Sequence, residues 1–528
     1  MKKHAVLLLA VLMTVTAVPG IIFLQRQMDG MIREHKLLNE QFAEDGGAPP
    51  GITFSTVFLG GFRNLIADAL WLRMTRLQDE GNYYELVQLA DWILKVQPSN
   101  SQVAQFLAWN MAYNISVIQQ DFSDRWRWVR KGVETIIEGI RLNPNEPMLY
   151  RELSWMFYFK MGDQMDVANQ YYKFRFASEM YQLLGGKHSP DWAELNAAPG
   201  TKKQFMERFP DRQGQKSVLW AQPNGFSDFD ALMKYFSENG TLPEKLKEAL
   251  GEKGAKDCEL GLRRILLRKV WYIEPQYAMD IEKEYGKLDW LNTNSHAIYW
   301  AVRGIRNSPE RQNTACRQVL TNALRVSFAS GRIVFPAGKP SRQYLLLPNL
   351  GLMEAANNVY MEESGGKPVP GDSAHANFLM QAIDTFYFYG QKKEAMKYFL
   401  LLRDELKYGD AVGLTLEQFV QNRLRIMIKM GTWYQIIRLV QSFIIQSAYA
   451  LGNGEHEEAE QMLETASQLY QLYLKRNNTE EEAIRLKLPP FAEFKRMMTE
   501  ELMRSIPDLA PALKAELELQ KSYGPVKK

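Results

Sequence analysis

Cysteine is scarce: the 528 residues contain two, Cys258 in "KDCEL" and Cys316 in "NTACRQ". Neither belongs to a C-x-x-C pair, which excludes zinc-ribbon and thioredoxin-type motifs. In an oxidising compartment the two can join and close a long loop; two unpaired buried thiols are the plainer expectation. Net charge is small as well. The 64 basic residues nearly balance the 61 acidic ones, leaving +3, so no long-range field gathers nucleic acid and none is expected as a partner. Histidine is rare: His4 and His35 flank the first apolar run, while His188, His296, His375 and His456 lie far apart in sequence. None stands at metal-ligand spacing, so no metal is expected. A Gly-rich phosphate loop with its Lys, H-E-x-x-H, G-x-S-x-G and an EF-hand loop are all missing, and no cofactor is expected.

What is present is apolar surface and helical periodicity. With 46% hydrophobic and 12% aromatic residues, the chain can bury a large core and lacks a disordered composition. The run "AVLLLAVLMTVTAVPGIIFL", Ala5 to Leu24, carries no charge, and a helix of that length spans about 30 Å, the thickness of a bilayer's apolar core. Val15 and Ala17 have the small-residue pattern of a signal cleavage site. The run continues past them to Leu24, longer than the apolar part of a cleaved signal, and is expected to be an uncleaved, single-pass anchor. Lys2 and Lys3 precede it; Arg26, Arg33 and Lys36 follow. The basic head has the form of a signal start, so the body is expected outside the cytoplasm, in the periplasm.

Beyond the anchor, Phe62, Leu65, Ile66, Ala69, Leu70 and Leu77 have the spacing of one helical face. Gly81 then breaks the helix. Leu86, Val87, Ala90, Ile93, Leu94 and Val96 form a second stripe that Pro98 ends, which predicts an antiparallel helix pair. The same offset recurs. Gly390 leads Ala395, Phe399 and Leu402; Gly431 leads Ile436, Val440 and Phe443; Gly454 leads Ala459, Leu463 and Ala466.

This pattern resembles the tetratricopeptide repeat, in which a packing position follows the turn glycine and the second helix ends near a proline. The terminal proline occurs only in the first unit, and Gly431 to Gly454 is shorter than the family's period, so the repeats are degenerate. The phrases "LGGFRNLIADALWLR" and "NPNEPMLYRELSW" add to the likeness with a family of membrane-anchored bacterial proteins of this class. The resemblance implies an all-α, TPR-like α-helical solenoid with irregular insertions, preceded by one N-terminal transmembrane helix, and a binding role without catalytic residues.

The expected order is an anchor at 5–24, a linker at 25–52 and an N-terminal helical array at 53–184. Scattered Gly and Pro mark an irregular insertion with short helical pieces at 185–260. A helical middle region with loops follows at 261–375, where "RIVF" reads as one short strand. A C-terminal array covers 376–510, and 511–528 is a tail.

Two stretches hold candidate site residues. In "EYGKLDWLNTNSHAIYW", Asp289 and His296 can meet if the turn folds back, giving an acid and a base beside Trp290, Tyr299 and Trp300. The structural alternative has Asn292, Asn294 or Ser295 capping a helix whose aromatics enter the core. In "DRWRWVRKG", Arg125, Trp126, Arg127, Trp128 and Arg130 suit an acidic or aromatic partner or a stacked sugar, while core packing is the plainer expectation. Tryptophans at alternate helix positions face different ways, so one of the two packs inside. The aromatic run "NQYYKFRFASEMY" is expected in the core. The expected function is a membrane-anchored scaffold that binds a protein partner of the same membrane in the bacterial cell envelope. The alternative is an envelope carbohydrate-active enzyme, an α/α toroid with two acidic side chains facing across a cleft.

Overall fold

The computed structural model describes residues 63–518, save 97–99, 164, 213–214, 217, 221–224, 309–312, 336–338, 343, 431–432, 477–489, 506–510, 512 and 516–517. The run Ala5 to Leu24 and Gly431 lie outside these. Among the described residues, no helix is long and apolar enough to cross a membrane. The architecture is all-α, with two two-stranded antiparallel ribbons as the only sheet among the described residues.

The first helices follow their local signals. Helix α1 (Arg63–Asp79) and α2 (Tyr83–Val96) pack together across Gly81, whose φ of +72° is a left-handed conformation that favours glycine. Leu77, Leu86, Ala90 and Ile93 are buried as expected. Ala69 is exposed, and Met74 takes the inward position instead. Helix α3 (Ser101–Trp109) runs on through a wider turn, Asn110–Ile115, in which Ser116 donates to the Met111 carbonyl five residues back. Helix α4 (Phe122–Leu142) starts at Asp121, whose side chain accepts from the Ser123 N–H. Gly132 and Gly139 let α4 approach Ala104, Ala108 and Ala112 of the preceding helix closely: a Cβ on Gly132 would stand 2.9 Å from the Ala108 carbonyl oxygen.

Helix α5 (Pro147–Trp155) has proline in its first turn and Glu146 as its cap, and it too widens, over Met156–Met161. Helix α6 (Asn169–Leu183) closes this part of the chain. The next stretch, expected as irregular, has a core of its own. Helices α7 (Trp192–Ala197) and α8 (Lys202–Arg208), ribbon β1 (Asp211–Arg212) with β2 (Gln215–Lys216), α9 (Phe229–Asn239) and α10 (Glu244–Leu266) bury Phe205, Phe229, Leu232, Phe236, Cys258 and Leu262 together. Helix α10 kinks at Gly251, φ +70°, and continues past residue 260 into the middle region.

After α11 (Pro275–Tyr285), helix α12 (Thr293–Arg306) returns to pack against α5, and α13 (Thr314–Ser330) packs against both. Strand β3 (Arg332–Val334) fulfils the expected "RIVF" strand; its partner β4 (Leu345–Leu347) had no alternating pattern to announce it. Helix α14 (Met353–Met361) leads to α15 (Ser373–Phe388), capped by Asp372, and α16 (Lys392–Leu400). Helices α17 (Leu416–Met430), α18 (Trp433–Gly452), α19 (His456–Arg476) and α20 (Phe491–Ser505) complete the order. Gly390 and Gly454 have φ of +73° and +80°, and Ala395 and Ala459 five residues later are buried. Leu463 is only half-buried; Met462 faces inward. Cys258 and Cys316 are buried free thiols in different parts of the chain.

A tight crossing lies where α5, α12 and α13 meet. A Cβ on Gly304 would stand 2.6 Å from Cys316 Sγ and 2.7 Å from Tyr150 Cβ. Gly304→Ala should therefore force the helices apart and destabilise the fold by about 1–3 kcal/mol, read as a lower urea midpoint at unchanged slope. An unchanged midpoint would contradict this close approach.

Candidate functional site

Asp289 and His296 do not meet. The Asp289 carboxylate is buried and fully engaged: Oδ1 accepts from the Leu291 N–H at 3.1 Å and lies 3.0 Å from His188 Nδ1, while Oδ2 accepts from the Ile333 N–H at 2.7 Å. It ties together the 188 loop, the approach to α12 and strand β3. His296 is fully buried among Phe157, Phe176, Trp271 and Trp290. Its Nε2 lies 3.0 Å from the Trp290 carbonyl oxygen, and burial pushes its pKa down to about 4, so the ring is a neutral core group. Asn292 caps α12 by accepting from the Asn294 N–H at 3.0 Å. Trp290 donates from Nε1 to Glu282, and Trp300 stacks on Tyr272. The structural alternative for this stretch is the one the fold adopts.

The "DRWRWVRKG" helix divides its residues among three environments. Trp126 is buried against Tyr172, Trp128 is half-buried beside Tyr84, and exposed Arg127 pairs with Asp124 at 2.8 Å. Arg130 lies over the Trp271 ring at 3.9 Å. Arg125 differs: its Nε donates to the Gln119 carbonyl at 2.8 Å, and its Nη1 points at Asp166 Oδ1, 3.5 Å away. Arg125 thereby enters a pocket of about 280 Å³.

This pocket is built from the widened turns after α3 and α5 and from the loop before α6. Tyr113 and Val117 come from the first turn and its continuation, Phe159 and Lys160 from the second. Turns of i→i+5 bonding are rare inside helices and concentrate at functional sites. Met165, Asp166 and Val167 close the pocket from the loop. At its base Lys160, 4% exposed, donates to Asp166 Oδ2 at 2.5 Å. Asp166 also accepts from the Ala168 N–H at 2.8 Å and from the Tyr172 hydroxyl at 3.3 Å. Burial pushes the Lys160 pKa down, with the Asp166 bond opposing it. Burial would raise Asp166, yet Lys160, the Ala168 N–H and Arg125 together hold its carboxyl below the ordinary range.

The rim is apolar and open. Val117 is 45% exposed, Met165 75% and Val167 71%. Ring pairs at i, i+4 extend the walls along both helices: Trp109 stacks on Tyr113 at 5.9 Å and Trp155 on Phe159 at 4.8 Å. The Tyr113 hydroxyl is buried without a hydrogen-bond partner. Of the candidates read from sequence, the structure brings only Arg125 here. Lys160 and Asp166 were passed over because "FKMGDQMDVANQ" reads as helix, stop and helix. The available signal was the lysine two residues before Gly162 and an aspartate with Asn169 three residues on, a turn-forming spacing.

Comparisons with protein-family models, characterised proteins and solved structures give no match. Among the described residues, no group of three or more His, Cys, Asp or Glu side chains is arranged to hold a metal ion.

Two outcomes are expected of these charges. Asp166→Leu strips Lys160 of its carboxylate partner and should cost about 3–5 kcal/mol in denaturant unfolding, while adding Lys160→Met should recover most of that loss. Additive losses would show that the pair is not coupled. His188 is held above its ordinary pKa by the Asp289 bond, against the opposing effect of burial. A raised histidine pKa contributes stability that is fully present below the unfolded value of about 6.5 and lost as pH rises through the folded value. His188→Gln should therefore destabilise more at about pH 5.5 than at about pH 9, and the reverse order would refute the ion pair.

Proposed function

We propose that the chain is a membrane-anchored, tetratricopeptide-like helical scaffold that holds a protein partner at the surface of the bacterial cell envelope. The observation that carries this reading is the pocket between the widened turns, where buried Lys160, the Asp166 carboxylate and half-buried Arg125 lie beneath the exposed side chains of Val117, Met165 and Val167. An apolar rim over a largely desolvated arginine, with Tyr113 in the wall, supports a pocket into which a side chain of another protein fits. Its volume lies just under the usual range for small-molecule sites, about 300–1,000 Å³, and suits one or two side chains of another chain.

The helical pairing supports the repeat reading. Leu86, Ala395, Ile436 and Ala459, each five residues after a glycine, are all buried. The packing of α12 on α5 fits an array interrupted by an inserted segment. The run Ala5 to Leu24 supplies the anchor, and confinement to one membrane raises the effective concentration of a partner held there. The carbohydrate-enzyme alternative drew on Asp289, whose oxygens are taken by His188, Leu291 and Ile333.

The test is purification of the full chain in mild detergent. A membrane protein should accompany it in stoichiometric amount and be released by the double rim variant Val117→Glu/Val167→Glu, which changes exposed positions and should leave the thermal unfolding midpoint unaltered. Failure to recover such a partner, or its retention by the rim variant, overturns the reading.

A further inference from the structure

The charges in the pocket do not cancel. Lys160 and Arg125 are cationic and Asp166 is the one carboxylate between them. The nearby charges on the packed elements are matched elsewhere. Glu152 is tied to Arg151 at 3.0 Å, and Asp163 lies beside Lys173 in the same loop and helix. The base of the pocket therefore holds two cations around one carboxylate: Lys160, almost wholly out of water, is paired closely with Asp166, and Arg125 shares that carboxylate at 3.5 Å. An incoming anion would give the second cation a counter-ion of its own in a largely desolvated site.

The donors are available to receive one. Among the described residues Lys160, with three N–H groups, makes one hydrogen bond, to Asp166, and lies 5.3 and 5.9 Å from the Tyr113 and Tyr172 rings; Arg125 has five N–H groups and uses Nε on Gln119 and Nη1 toward Asp166. The way in is lined by carbon: Val117, Phe159, Met165 and Val167. An anion entering here must carry apolar groups directly beside its charge. A phosphate or a polar acidic loop would leave its own hydration unreplaced against that rim.

We propose that this pocket captures the C-terminal carboxylate of a partner polypeptide whose last residues are apolar, with Arg125 and Lys160 on the carboxylate and the rim on the terminal side chains. The proposal rests on the scaffold reading and narrows it to one recognition mode, capture of a chain terminus. The volume accommodates a terminal residue and part of its neighbour, and charge complementarity selects the terminus over an internal apolar segment.

The experiment measures fluorescence anisotropy of labelled hexapeptides ending in Val, Leu or Phe, added to the full chain in neutral maltoside detergent. At least one free-acid peptide should bind, and its C-terminal amide should bind at least about tenfold more weakly, equivalent to about 1.4 kcal/mol. Met165 is an exposed rim position, so its variants test the charge without disturbing the fold. Met165→Glu should weaken the free acid at least about tenfold, and Met165→Lys should preserve or strengthen it. Octanoate at the same concentration should fail to displace the peptide. The proposal is overturned if no free-acid peptide binds, if acid and amide bind equally, if Met165→Glu has no effect, or if octanoate displaces the peptide as well as unlabelled peptide does. The last result would assign the pocket to a free apolar acid. A membrane partner that still co-purifies after a negative peptide result leaves the scaffold standing and removes only the terminus.

Discussion

Residues Thr293 to Gly304 of α12 are all buried, so this helix has no solvent face on which to place a polar group. Its polar groups can find partners only among packed neighbours, and Thr293 Oγ1, Asn294 Oδ1, His296 Nδ1 and Arg303 Nε find no hydrogen bond among the described residues. Arg303 is the hardest case. No carboxylate pairs with it among the described residues; it lies instead within 4.8–6.0 Å of the rings of Tyr150, Tyr272, Tyr277, Tyr299 and Trp300. The negative ring faces stabilise the guanidinium, and its Nη1 donates to the Tyr272 carbonyl at 3.0 Å. Reaching that position takes Tyr272 into the left-handed region, φ +51°, at a cost of about 1–2 kcal/mol for a residue with a Cβ. Arg141 covers the same ring from α4 and donates to the carbonyls of Arg268 and Lys269. One buried arginine thus couples α5, α11 and the turn after α10 to the central helix.

Arginine serves the inserted segment in a second way. Its loops run between short helices and leave backbone carbonyls without helical partners, which burial would penalise. Three arginines of α10 and its extension meet them. Arg263 donates to the carbonyls of Gln182 and Gly240, Arg264 to those of Asn196 and Ala198, and Arg268 to that of Gly200. A segment whose composition reads as irregular is held in place by side chains from a helix more than 60 residues away in sequence. This explains why Gly and Pro frequency described its backbone and missed its order.

Local signals were legible wherever a residue's conformation depends on its immediate neighbours. Gly81, Gly390 and Gly454 mark turns because their positive φ is a property of one residue, and Pro147 and Asp372 mark helix starts because a cap acts within one turn. The distant partners were not legible. Asp289 meets His188, 101 positions away, and Ile333, 44 positions away, and no spacing rule reaches so far. The packing of α12 on α5 depends on how a long insertion folds back. The candidate site falls between these cases, since Lys160 and Asp166 are six residues apart. What hid them was the widened turn, which rotates Lys160 relative to a regular helix and cannot be read from apolar periodicity.

The same widening occurs at Asn110–Ile115, Met156–Met161, Leu267–Trp271 and Leu401–Glu405. The third precedes Tyr272 and so serves the Arg303 cage; the first two supply walls of the pocket. In the first, Asn110 is buried and donates to the Phe106 carbonyl at 2.9 Å while accepting from Asn114 at 2.8 Å, so the irregular turn pairs its two amide side chains. The base and the rim of the pocket therefore rest on different atoms of one region. The base is fixed by Asp166 contacts deep in the fold, whereas Val117, Met165 and Val167 project from its surface. Substitutions at the rim can therefore change the chemistry of the pocket mouth while the packing beneath remains intact.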